Sequence, residues 1–221
     1  MKCYTPGNFL LQKGKPDMAV PEDVAARDTY FDLMVEAKAR LLSINTPSQD
    51  KRGIPSALVH EYGVLQIRML CEIIGLGCLV AHGDLVAKAS TKLKKAYSPD
   101  EIFAALDKLL DDFFPVPMRP EKTETGWHMA EYTGGAYARK SEIVDIWAKC
   151  GNILHRGSLK NLVKAKSPVQ TTFADLDDWG RKISNLLSNH RIMRQDRKFV
   201  FITLLAHGPE VQVAIGEPKS Q

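Results

Sequence analysis

The segment Cys150-Gly151-Asn152-Ile153-Leu154-His155-Arg156-Gly157 sets an imidazole beside a guanidinium at the end of a helical stretch. Such a pair suits phosphodiester chemistry. Imidazole moves protons near neutral pH, and guanidinium neutralises charge developing on a phosphate. No metal is required. A structural reading competes with it. At about 100° per residue, His155 falls on the side of Val144, Ala148 and Gly151, an apolar face. A cation at a helix C-terminus is also favoured by the macrodipole.

A second set lies upstream. Glu61, Arg68 and Glu72 are spaced by seven and four residues, which keeps them in one stripe of a helix. Either this stripe is the only solvated edge of an apolar helix, with Arg68 and Glu72 as a weak pair, or it lines a polar pocket facing the helix that carries His155.

The chain has 30 Lys+Arg against 26 Asp+Glu, a net charge of +4. That total is too mild to announce a nucleic-acid protein, so placement decides. Lys88, Lys92, Lys94 and Lys95 fall together, as do Arg156, Lys160, Lys164 and Lys166. A third group comprises Arg181, Lys182, Arg191, Arg194, Arg197 and Lys198. If the groups converge, they make a phosphate-binding face on which Trp127, Tyr132 or Tyr137 can stack bases. If not, they are solvated surface.

Several chemistries lack their motifs. There is no Walker loop, no Gly-x-Gly-x-x-Gly after a strand, no His-Glu-x-x-His and no Gly-x-Ser-x-Gly. Cys3, Cys71, Cys78 and Cys150 contain no Cys-x-x-Cys pair, and three of them sit in apolar helical patterns. No metal, cofactor or disulfide framework is expected, and the cysteine usage fits a cytoplasmic protein. The N-terminus lacks the apolar core of a signal peptide. The most apolar run, Ile73 to Ala81, is nine residues long. By itself it is too short to cross a membrane.

Positioning these residues falls mostly to helices. The periodicity predicts a helix from about Pro21 to Ile44, then one from about Pro55 to Val80 that is apolar nearly all round and so central to a bundle. Gly75 and Gly77 would let a neighbour approach. A short Lys-rich helix over Leu85 to Tyr97 follows. Ser98-Pro99-Asp100-Glu101 reads as a capping box opening a helix to about Phe113. Residues 115–140, rich in Pro and Gly, read as a long irregular segment. A helix from about Ser141 to Arg156 stops at Gly157, and Thr172 with Asp175 opens another. From Lys198 the period changes to two, and a turn at His207-Gly208-Pro209 implies a hairpin. The expected fold is mainly α: a bundle of about five to six helices with a small C-terminal β-hairpin. Residues 1–20 form an N-terminal extension, 21–195 the helical domain and 198–217 the appended hairpin.

This order of helices resembles the HEPN superfamily. The likeness rests on the apolar second helix bearing Arg68 and Glu72, and on the later helix ending in Asn152-Ile153-Leu154-His155-Arg156-Gly157. It implies a helical domain, often homodimeric, that binds RNA and in many members cuts it without metal, in toxin–antitoxin or other defence systems. His155 would supply the family's catalytic His. The Arg that should stand before it with four to six residues between is replaced, with Lys149, Cys150 and Gly151 in and beside that window. Lys149 matches by charge but lacks the planar fork, and Arg156 or Arg68 would have to compensate. The resemblance thus implies His155, Arg156 and Arg68 as catalytic groups, with Glu72, Lys149, Asn152, Lys160 and Trp127 binding ligand. The other reading is a non-catalytic helical module that binds a protein partner.

Overall fold

The computed structural model describes residues 21–44, 53–82, 93, 95–124, 126–155, 171–194, 200–205 and 209–216. In chain order the described elements are α1 (Pro21–Ser43), α2 (Ser56–Ala81), α3 (Pro99–Leu106), β1 (Val116–Thr123), β2 (Gly126–Glu131), α4 (Lys140–Leu154), α5 (Phe173–Leu187), β3 (Asn189–Met193), β4 (Val200–Leu204) and β5 (Gln212–Gly216). The expected N-terminal extension, most of the Lys-rich helix and the basic loop after His155 lie outside the described residues.

The centre of the fold is α2. Its inner face buries Val64, Ile67, Leu70, Cys71, Ile73, Ile74 and Cys78. Burying each large aliphatic side chain contributes about 1.5–3 kcal/mol, so this one element supplies much of the core. α1, α3, α4 and α5 all pack against it. By length and composition α2 could cross a bilayer, a stronger case than its nine-residue apolar run suggested, yet most of it is buried inside the protein. α1 presents Tyr30, Met34 and Ala37 to it at helical spacing. At Gly77 the Tyr30 ring comes so close that a Cβ would lie 3.0 Å from Cε2.

The sheet overturns the expectation of a bundle with a small hairpin. Five antiparallel strands run in the order β2-β1-β3-β4-β5. The β4–β5 pair is the expected hairpin, but β3 pairs along the whole of β4, and β1 joins β3 at Val116 and Pro117. The stretch 115–140, expected to be irregular, therefore supplies two strands. Pro117 and Pro120 both lie within β1. They are tolerated because β1 has β3 as a partner only at its first two residues, and the Pro117 carbonyl accepts a hydrogen bond from the Tyr132 amide at 2.8 Å. α3 also ends at Leu106, short of Phe113, although Phe113 still reaches the core. Ser98 is its N-cap with extended backbone but makes no side-chain capping bond.

Two buried polar links join helices to sheet. His190 on β3 is enclosed, with Nδ1 3.0 Å from the Leu187 carbonyl, which can only accept. Nδ1 therefore carries the proton, and Nε2 accepts from the Tyr30 hydroxyl at 2.7 Å. Burial lowers the His190 pKa to about 4 and raises that of Tyr30. Beyond β3, Arg194 forms a buried ion pair with Asp23 at 2.6 Å and donates to the Ala81 carbonyl at 2.9 Å. One guanidinium thus ties the start of α1, the end of α2 and the end of β3.

Candidate functional site

α2 and α4 meet along a face carrying the second set of chemistry-bearing residues. α4 starts from a one-way cap in which the Glu142 carboxylate accepts from the Arg139 amide at 3.0 Å. That bond, aided by Lys182, holds the Glu142 pKa low. Ile143, Ile146 and Cys150 go inward, and Trp147 lies along the α2 side.

There the Arg68 guanidinium stacks over the Trp147 ring at 4.5 Å, a cation–π contact. Its Nε lies 3.3 Å from Glu72 Oε1, and the same oxygen accepts from the Trp147 indole N–H at 2.9 Å. Both charged side chains are largely covered, at 17% and 15% exposure. Arg68 Nη1 extends to Gly151, where a Cβ would lie only 2.5 Å away. A glycine inside a helix costs stability relative to alanine, and here it makes room for the guanidinium. Neither terminal nitrogen of Arg68 has an acceptor among the described residues. Beside this face Cys150 is buried, which pushes its thiol up to about 12 against the opposing pull of Arg68. Burial raises the Cys71 thiol as well.

His155 is the residue that ends α4. It is exposed, and its amide donates to the Gly151 carbonyl at 3.0 Å. Gly151 is therefore shared: its backbone oxygen anchors the His155 turn, and its missing side chain admits Arg68. This brings Arg68 to the last turn of the helix that carries His155, while Glu72 meets Trp147 one turn earlier. Asn152 is exposed on that turn. Lys149 is turned toward α5 instead, with its ammonium 6.0 Å from the centre of the Trp179 ring. Trp127 lies in β2, an edge strand of the sheet, at the register position opposite Lys122. Arg156 and Lys160 lie outside the described residues.

Sequence reading missed Trp147 and Gly151. They stand four apart on α4, so they share a face, and a glycine within a helix was the available sign of a close approach.

The described members of the third basic group are taken up in ion pairs, while Arg197 and Lys198 lie outside the described residues. Arg181 pairs with Asp178, Lys182 with Glu142 and Asp178, Arg191 with Glu131, and Arg194 with Asp23. Each described cation of that group has a carboxylate partner, with Asp178 shared by Arg181 and Lys182. Among the described residues no cluster of three or more His, Cys, Asp or Glu is arranged to hold a metal ion. No protein-family model, curated protein or solved structure matches this chain.

Proposed function

We propose that this chain is a HEPN-like protein that binds RNA, or another phosphate-bearing ligand, between α2 and the end of α4. One observation carries the reading: the Arg68 guanidinium is fixed by Trp147 and Glu72, yet neither of its terminal nitrogens has an acceptor among the described residues. Glu72 approaches on the Nε side, at 3.3 Å. The Nη1/Nη2 edge is one of the two edges by which a guanidinium holds two oxygens of a phosphate. Fixing a guanidinium beforehand also lowers the cost of ordering it when the anion arrives. Glu72 subtracts charge, so a single site of this kind binds weakly, and affinity has to come from further contacts along a polyanion.

The same reading gives a chemical step. An exposed His155 takes or delivers the proton of a phosphodiester cleavage while Arg68 steadies the developing charge, with no metal involved. Incubating wild type and His155→Ala with single-stranded RNA in chelator tests this directly. Cleavage by wild type that the variant loses supports it, and equal cleavage removes His155 from the mechanism. Binding is tested separately by titrating RNA over a salt series, with affinity expected to fall as salt rises.

A second reading, a non-catalytic module that binds a protein, is favoured by a different observation. α1 exposes Phe31, Val35 and Leu42 in one stripe on its solvent side. A folded wild type with no RNA affinity at any salt concentration would favour that reading.

A further inference from the structure

The outward face of α1 carries two rows that solvent alone does not account for. Phe31 and Val35 are 38% and 43% exposed, and Ala39 continues their line at the same spacing of four. Beside them runs an acidic row, Asp28, Asp32 and Glu36, also exposed and also four apart. Each acid stands three residues before an apolar position, so the two rows are neighbours on the helix surface. From Glu22 to Leu42 the exposed positions of α1 hold four carboxylates and no cation, in a chain whose net charge is +4. Arg27 and Arg40 reach Asp28 and Glu36 from the flanks, while Asp32 has no ion-pair partner among the described residues.

Neither row helps the isolated helix. Like charges four residues apart repel, and Phe31 with Val35 one turn on leaves apolar area in water. A partner with the complementary pair of rows relieves both. The carboxylates also select among partners, because they repel RNA, an anionic membrane surface and the acidic row of a second copy. We infer that the outer face of α1 is the docking surface for a basic amphipathic helix of another protein, whose apolar stripe lies along Phe31 and Val35 and whose Lys or Arg residues meet Asp28, Asp32 and Glu36.

Amphipathic helices are recognised in this way through apolar anchors one turn apart, with the flanking charges setting register and partner choice. A contact along one helix face buries less than a standard interface, so the complex is dissociable rather than obligate. The inference rests on the protein-binding reading and deepens it by naming the face and the chemistry of the partner. It takes nothing from Arg68, which is turned from α2 onto α4.

Fluorescence anisotropy with a labelled synthetic peptide tests the inference, the peptide matching α1 in length and carrying a leucine stripe flanked by lysines. The controls are the same peptide with glutamate for lysine, and a scrambled peptide of identical composition. Wild type is expected to bind the first peptide in preference to both controls, and more weakly as salt rises. Phe31→Ser with Val35→Ser, and Asp28→Asn with Asp32→Asn, all at exposed positions, should each weaken that binding by about tenfold or more. Far-UV circular dichroism confirms that both double variants are folded. No binding by wild type, binding unchanged in either double variant, or equal binding of the scrambled peptide overturns the inference. A wild-type dimer in sedimentation velocity that Phe31→Ser with Val35→Ser dissolves would assign the face to a second copy, and overturns it too. RNA titrations of wild type decide the protein-binding reading separately, so failure of the α1 face and failure of that reading are distinguishable.

Discussion

Nη1 of Arg68 occupies the space that a side chain at residue 151 would need: a Cβ there would lie 2.5 Å from it. The guanidinium is held from three sides, by the Trp147 ring, the Glu72 carboxylate and the backbone of α4 at Gly151. A residue from one helix is thereby built into the last turn of another, four residues before the exposed His155.

Gly151→Ala follows directly from this contact. The obstructing atom is the far end of a flexible side chain, so Arg68 can swing away and the fold should lose no more than about 1 kcal/mol, below the usual cost of overpacking. The gain in helix propensity offsets part of even that. What should be lost is the fixed guanidinium, read as quenched or shifted Trp147 fluorescence and weakened RNA binding with a nearly unchanged melting temperature. A large fall in melting temperature would mean that Arg68 is pinned more firmly than its contacts indicate.

Gly77→Ala is the contrasting case. There a Cβ would lie 3.0 Å from the Tyr30 ring, which the His190 hydrogen bond holds in place. With the ring unable to yield, this substitution should cost about 1–3 kcal/mol, measured by urea denaturation. A neutral result would show that the Tyr30–His190 link bends easily.

The pH dependence of stability carries the His190 signature. Its folded pKa is about 4 against 6.5 for an unperturbed histidine, so the unfolded chain binds the extra proton first. The contribution is fully present above about pH 6.5 and is lost as pH falls toward 4. Its size is about 3 kcal/mol by that linkage, an order-of-magnitude figure. Urea midpoints across this window should drop with acid in wild type, and the drop should be shallower in His190→Gln. Parallel profiles would assign the acid sensitivity to other groups.

Much of the helical half was legible because its signals are local. The apolar run of α2, the Thr172–Asp175 cap of α5 and the helix ending at His155 all depend on residues within a few positions of one another. The sheet was not legible, for a non-local reason. β1 carries two prolines, and β3 is five residues of mixed polarity that directly follow α5, so neither reads as a strand until its partners are known. The Arg68–Glu72 pair could be read from its spacing, but the face it meets could not. That Trp147 and Gly151 complete the cluster depends on how α2 and α4 cross, which a single helix pattern does not encode.

The most direct test of the phosphate-binding claim is the affinity of single-stranded RNA for wild type and Arg68→Gln, measured by fluorescence anisotropy over a salt series in metal-free buffer. Far-UV circular dichroism would confirm that the variant is folded. The claim predicts salt-dependent binding by wild type that weakens by about tenfold or more in Arg68→Gln, the scale of a lost charge-assisted contact. Equal affinity of the two folded proteins, or no binding by wild type at any salt concentration, would contradict it.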